Sequence, residues 1–158
     1  MAKVTFVAGN GPEATLGAWL CWHRWSLEEH GREIDHEAWL RQQAGKVAGG
    51  AFLQVIGWDG AEPVAMVEMV VVYDPMQRVQ IAHGDKAWVH PDYRKDGTLT
   101  AMLNFMVPLM DYIGVEHWVA PVTAGEEATA PWLREMYEKL GFRLAGLTLV
   151  RKPERKAA

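Results

Sequence analysis

Trp88-Val89-His90-Pro91-Asp92-Tyr93-Arg94-Lys95-Asp96-Gly97-Thr98-Leu99 decides the fold. The segment before it, Arg78 to Val89, has strand character and closes at Pro91. A short polar loop follows, with the adjacent cations Arg94 and Lys95. From Gly97 onward Leu99, Met102, Leu103, Met106, Leu109 and Met110 recur at the three- and four-residue spacing of a helix face. Roughly Ile81 to Ile113 is therefore a strand–turn–helix. The first amides of a helix have no internal acceptors and stand at the positive end of its dipole, so such a turn is shaped to hold a phosphate. Gly97 would let the backbone come close, and Arg94 and Lys95 would add charge. The same composition opens many ordinary helices, so the loop alone is a weak sign.

Upstream, Lys3 to Ala8 reads as a short strand closed by the turn Gly9-Asn10-Gly11-Pro12. From Glu13 the period is helical: Leu16, Trp19, Leu20, His23 and Leu27 share one face, and Gly31 is the stop. A second helix starts with Asp35 as N-cap, carries Ala38, Trp39 and Gln42, and ends at Gly45 or at Gly49-Gly50. Ala51 to Trp58 is a strand, Asp59-Gly60 a hairpin turn, and Val64 to Tyr73 a nearly continuous apolar strand expected at the sheet centre. Asp74-Pro75 turns the chain into Arg78 to Val89, where the internal Gly84 marks a bulge or a close approach. Downstream, Pro108 frees the carbonyl of Asn104 and should kink or end its helix. Val115 to Val119 is a strand. Thr129 and Pro131 start a helix with Leu133, Met136, Tyr137 and Leu140 on one side. Gly141 ends that helix, and Phe142 to Val150 is the last strand. Tight turns imply antiparallel pairing early, and strand–helix–strand units imply parallel pairing late. The expected fold is α/β: a mixed, mostly antiparallel central sheet with helices on both faces, in the order β-α-α-β-β-β-α-β-α-β.

The chain has 158 residues, 49% of them hydrophobic and 23% charged, which suits one domain over 1–158 with a basic tail at 151–158. A net charge of -4 argues against a nucleic-acid partner. The single cysteine, Cys21, excludes an internal disulfide, and its Trp-rich apolar surroundings suggest an inert thiol. No stretch approaches the roughly 20 apolar residues of a membrane span. The start Met1-Ala2-Lys3-Val4 has no signal-peptide pattern, so a cytoplasmic protein is expected. Six histidines without ligand spacing give no metal site. Eight tryptophans suggest wide aromatic core contacts or an aromatic binding surface.

Met136-Tyr137-Glu138-Lys139-Leu140-Gly141-Phe142 supplies a second motif. With it the sequence resembles the GNAT N-acyltransferases, whose hallmark is a strand, then Val-x-Pro-x-aromatic-Arg, then a glycine loop opening a helix, and later a helix ending in Tyr-Glu-Lys-Leu-Gly-Phe. Val89, Pro91, Tyr93, Arg94 and Gly97 match the first motif, and Tyr137 to Phe142 match the second. The resemblance is sharp over about Ile81 to Val150 and topological before that. It implies a GNAT-type fold and transfer of an acetyl or other acyl group from acyl-coenzyme A to a primary amine, on a small molecule or a protein, without a metal. It implies that the pyrophosphate sits on Arg94, Lys95, Asp96, Gly97, Thr98 and Leu99. The pantetheine arm would lie beside the strand ending in Ala87, Trp88 and Val89.

Tyr137 falls where many members carry the tyrosine that protonates the departing thiolate. A helix-face aromatic in the core is the plain alternative. For the base that takes the amine proton the candidates are His83, at the position of a family glutamate, then Glu68, a carboxylate inside an apolar run, then Asp85. His90 and His117 read as surface or loop residues. Glu126 and Glu127, in the small acidic stretch Pro121 to Thr129, would attract a cationic amine or simply be solvated. Three positions depart from the family pattern: Leu99 where a small residue belongs, Ala130 in place of asparagine, and Leu133 in place of alanine. They leave a second expectation, a non-catalytic module of the same fold. Its Trp-rich first half (Trp19, Trp22, Trp25, Trp39) would meet a partner, either a second copy in a homodimer or a larger assembly such as a viral particle.

Overall fold

The computed structural model describes residues 4–119 and 131–142. They fall in two compact units, Met1–Ala120 and Pro121–Ala158. The first unit runs β1 (Thr5–Ala8), α1 (Pro12–His30), α2 (His36–Ala48), β2 (Phe52–Asp59), β3 (Glu62–Asp74), β4 (Val79–Val89), a single 3-10 turn (Pro91–Tyr93), α3 (Thr98–Tyr112) and β5 (Val115–Val119). The second contributes α4 (Pro131–Lys139). Each boundary has a local cause. Pro12 stands in the first turn of α1, where its missing N–H costs nothing. Gly31, left-handed at φ 64°, closes that helix on the Leu27 carbonyl. The Asp35 carboxylate accepts the Ala38 amide at 3.0 Å to start α2. Pro108 does not end α3, which continues to Tyr112. The expected last strand, 142–150, lies outside the described residues apart from Phe142.

The sheet order is β1-β2-β3-β4-β5. The first three pairings are antiparallel and β4–β5 is parallel, as the hairpin and crossover signals require. Helices cover both faces. On one, Ile56, Met66 and Trp88 of successive strands form a core with Ala14, Ala18 and Cys21 of α1 and Trp39 of α2. On the other, Phe6 meets Phe105 of α3 at 5.8 Å between ring centroids, and Met102, Leu103, Met106 and Met110 are the buried side of that helix. The side of α1 turned inward is not the predicted one. Ala14, Gly17, Ala18, Cys21 and Ser26 are buried, while Leu16 and Leu27 are exposed. The close seat explains this: a Cβ on Gly17 would lie 2.8 Å from both Ile56 Cγ2 and Trp58 Cζ2, so only small residues fit the contact line. The tryptophans belong largely to this core. Trp39 is buried, and Trp19, Trp22, Trp25 and Trp58 pack against the cluster.

Candidate active site

β4 carries the site, and a bulge shapes it. Glu68 of β3 opposes Lys86 and Met69 opposes Gly84, so Asp85 is the extra residue of a bulge beside the glycine that signalled it. Among the described residues β5 is in parallel register with β4 over residues 80–83. β4 runs on to Val89 and leads towards the start of α3.

At that start Gly97 is left-handed, φ 87°, and a Cβ there would meet nothing within 4 Å. The space before the helix is open, and only glycine enters the turn without strain. Not all the expected donors face it. The Asp96 carboxylate accepts the Thr98 amide at 2.9 Å and the Thr98 hydroxyl at 2.6 Å, capping the helix itself. Arg94 is turned back: its Nε donates to the Val89 carbonyl at 2.9 Å, and its guanidinium pairs with Glu28 of α1 at 2.5 and 2.7 Å. Glu28 also accepts the Trp88 indole N–H at 3.0 Å. Burial pushes the Glu28 carboxyl up, but Trp88 and Arg94 outweigh it and hold it below its ordinary range. Arg94 thus fastens the loop to α1, and Lys95, exposed, is the remaining cation of the pair. Leu99 is half-buried. The Tyr93 hydroxyl donates to Asp59 at 2.6 Å, which raises its pKa to about 12.

The candidate bases lie on the face covered by α1 and α2. Glu68 is sealed: Trp22 Nε1 and Gln43 Nε2 donate to its Oε1 at 2.9 and 3.1 Å, and Lys46 Nζ to its Oε2 at 3.2 Å. Burial raises its pKa against the pull of Lys46 and Trp22. A carboxylate with 0% exposure and both oxygens engaged does not fit the expected role of meeting an amine. Its oxygens instead anchor α1 and α2 to the sheet. His83 is exposed, opposite Val70 on β3 and Val119 on β5. Asp85, 40% exposed, holds Lys46 at 2.5 Å. Burial pulls the Lys46 pKa down, but Asp85 and Glu68 more than reverse it. Sequence reading missed Lys46, Glu28 and Trp22, whose roles depend on partners remote in the chain. His90 caps the 3-10 turn, its Nδ1 accepting the Asp92 amide at 3.3 Å, and His117 is exposed on β5. Cys21 is buried and its thiol is pushed up to about 12 by burial, as suits an inert group. Among the described residues no three His, Cys, Asp or Glu side chains gather as a metal would need, and no helix is long and apolar enough to cross a membrane.

In the second unit, Tyr137 sits in a helix stop. Phe142 N–H donates to the Tyr137 carbonyl and Gly141 N–H to that of Glu138, both at 3.0 Å, with Gly141 left-handed at φ 88°. The Tyr137 and Phe142 rings meet edge-on at 5.1 Å. This is a Schellman cap with its hydrophobic contact. Ala130, Glu126 and Glu127 lie outside the described residues, and Leu133 is described only as part of α4.

A curled mixed sheet covered by helices on both faces, with a bulged β4 that leads into a helix opening on a glycine, defines an acetyltransferase-type α/β fold. Solved structures share it. An aminoglycoside acetyltransferase from an uncultured soil metagenomic sample, in complex with sisomicin, matches with TM-score 0.71 at 9% identity, covering 98% of this chain and 97% of that one. AAC(6')-Iy in complex with the bisubstrate analog CoA-S-monomethyl-acetylneamine matches with TM-score 0.70 at 10% identity, covering 96% and 99%. A predicted acetyltransferase with acetyl-CoA from Clostridium acetobutylicum matches with TM-score 0.69 at 16% identity, covering 95% and 96%. At such identities the likeness is one of fold. No curated protein matches the chain in sequence. The acetyltransferase (GNAT) family model matches residues 16–142, across both units, and the chain belongs to that family.

Proposed function

We propose that the chain is an N-acyltransferase that moves an acetyl or other acyl group from acyl-coenzyme A to a primary amine by direct attack, with no metal and no covalent enzyme intermediate. The observation that carries this is the course of β4, which runs through its bulge at Asp85 to Val89 and leads into the left-handed, open turn at Gly97 at the start of α3. The pantetheine arm would add to β4 as a short strand, and the pyrophosphate would lie before α3 on the first-turn amides beyond Thr98, beside Lys95 and Leu99. Trp88 and Val89 would flank the arm. Rate enhancement would come mainly from holding amine and thioester together. The proton of the amine would pass to a base on the α2-facing side of β4, where His83 and Asp85 stand. The Tyr137 phenol would give its proton to the departing thiolate. The aminoglycoside acetyltransferases among the structural neighbours support a small-molecule amine as acceptor.

Two observations favour the second reading, a non-catalytic module: Arg94 is spent on Glu28, and the Thr98 amide on Asp96. Thermal unfolding with acetyl-coenzyme A separates the readings. A ligand at about 100 times its dissociation constant stabilises by about 2.7 kcal/mol, which for this size raises the midpoint by roughly 5 to 10 °C. No shift at millimolar coenzyme refutes the transferase. A shift with no thiol release on any of a panel of amines leaves a binding module. With both present, Tyr137→Phe, which keeps the ring on Phe142, is expected to slow release and preserve the shift.

A further inference from the structure

α1 holds Arg94 in a way that leaves the guanidinium able to change partners. Its Nε donates to the Val89 carbonyl at 2.9 Å, which fixes the root of the group to the end of β4. Beyond that root a single nitrogen, Nη2, meets both Glu28 oxygens, at 2.5 and 2.7 Å. The strong form of such a pair is a fork, in which two guanidinium nitrogens bond the two oxygens in parallel. Here the contact is end-on, and Nη1 makes no hydrogen bond among the described residues. The Arg94 and Glu28 side chains are 41% and 29% exposed, so water screens the pair and its hold is weak. Glu28 has a second donor, the Trp88 indole at 3.0 Å, and keeps it if Arg94 leaves. An exchange of partners therefore strands neither charge.

The seat for a competing anion is close by. Arg94 closes the 3-10 turn and precedes the left-handed Gly97 by three residues, and the space at Gly97 is open. A pyrophosphate carries more charge than a carboxylate and presents oxygens in the spacing that a guanidinium fork matches. We propose that Glu28 and the pyrophosphate of the coenzyme are alternative partners of Arg94. In the free chain the guanidinium is latched to α1. With coenzyme present it turns about its Nε anchor to the anion, and Glu28 stays with Trp88. Glu28 thus sets coenzyme affinity from outside the seat, because only the unlatched fraction of the chain offers Arg94 to the ligand. This rests on the coenzyme reading above. It also makes the engagement of Arg94 with Glu28 the unliganded state of a working seat.

The test is calorimetric titration of the full chain with acetyl-coenzyme A, in a cycle of Glu28→Gln, Arg94→Gln and the double variant. Glu28→Gln keeps the shape of the side chain and an acceptor oxygen for Trp88 and removes the charge that holds Arg94. An exposed pair of ordinary strength leaves roughly one-sixth to two-fifths of the chain unlatched, so Kd should fall by about 2- to 6-fold in that variant. With Arg94→Gln already present, the same change should leave Kd unaltered. S-acetylpantetheine, which has no pyrophosphate, should bind wild type and Glu28→Gln alike, and this second probe does not depend on the Arg94 variants folding. A role of Glu28 confined to stability would lower the melting temperature without tightening binding. An unchanged or higher Kd in Glu28→Gln overturns the proposal, as does a fall that persists without Arg94 or appears equally with S-acetylpantetheine. Each of these results leaves the coenzyme reading standing. If neither wild type nor Glu28→Gln binds acetyl-coenzyme A at millimolar concentration, the coenzyme reading falls and the latch with it.

Discussion

Gly17→Ala is expected to destabilise the protein although alanine is the better helix former. Gly17 lies inside α1, where the swap alone would add about 1 kcal/mol. The added Cβ, however, would stand 2.8 Å from Ile56 Cγ2 and Trp58 Cζ2 and 3.3 Å from Trp58 Cη2, where ordinary contact begins at 3.4 Å. α1 must retreat by about half an ångström or the β2 side chains must leave their rotamers, an overpacking cost of about 1–3 kcal/mol. The retreat also stretches the 2.9 Å bond from Trp22 to Glu68 towards the limit of hydrogen bonding, and a bond to a charged group contributes about 1.5–3 kcal/mol. The net loss is about 1–3 kcal/mol, a melting temperature lower by roughly 2–10 °C for a chain of this size. Gly45→Ala is the internal control. It sits in α2 with nothing within 4 Å of the new methyl, so the same swap should raise the midpoint by about 1–4 °C. Thermal unfolding followed by circular dichroism compares the two. If both substitutions raise the midpoint, α1 is not seated on β2 at Gly17, and the geometry that brings Trp22 to Glu68 is wrong.

Gly97→Ala forces a left-handed residue to carry a side chain, with open space around it, so backbone strain of about 1–2 kcal/mol should lower the midpoint by roughly 2–8 °C. The acetyl-coenzyme A shift should shrink with it, and a full-sized shift in that variant would remove the turn as the phosphate seat. Glu28 is held below its ordinary pKa by Trp88 and Arg94, so its contribution to stability is present above about pH 4.3 and lost as pH falls through the depressed folded value. Glu28→Gln should therefore flatten the fall of melting temperature between about pH 5 and 3, and an unchanged slope would mean the pair with Arg94 is not formed in solution.

The strands were legible because their signals are local. The apolar run Val64 to Tyr73 announces a strand covered on both faces, and β3 lies between β2 and β4 with Val64 to Met69 buried. Gly84 announced the bulge, although the residue that bulges is its neighbour Asp85. The orientation of α1 was misread for a physical reason. Periodicity shows that a helix has an apolar face, but how closely the helix approaches the sheet decides whether large or small residues fill it. At Gly17 the approach is too close for Leu16 or Leu27 to point inward. The site shows the same division. That Glu68 needed a partner followed from the sequence, but Trp22, 46 positions away, and Lys46, 22 away, meet it only through the fold. The cation Arg94 was read correctly as a charge and wrongly as a spare one, because Glu28 lies 66 positions upstream.

The motif at Tyr137 shows how far a resemblance reaches into chemistry. The left-handed turn of Gly141, the Phe142 amide on the Tyr137 carbonyl, and the aromatic contact between the two rings together stop α4 and start the chain on its next course. A helix stop of this kind requires a glycine at the turn and apolar partners on either side of it. It would require them whether or not a thiolate were ever protonated here. Agreement with the family over these residues therefore speaks first for the fold. The cap is made by backbone amides and carbonyls and by the two rings, and the phenolic oxygen of Tyr137 is not among its donors or acceptors. That is why Tyr137→Phe leaves helix, turn and ring contact intact while removing the single proton that the transfer step assigns to Tyr137.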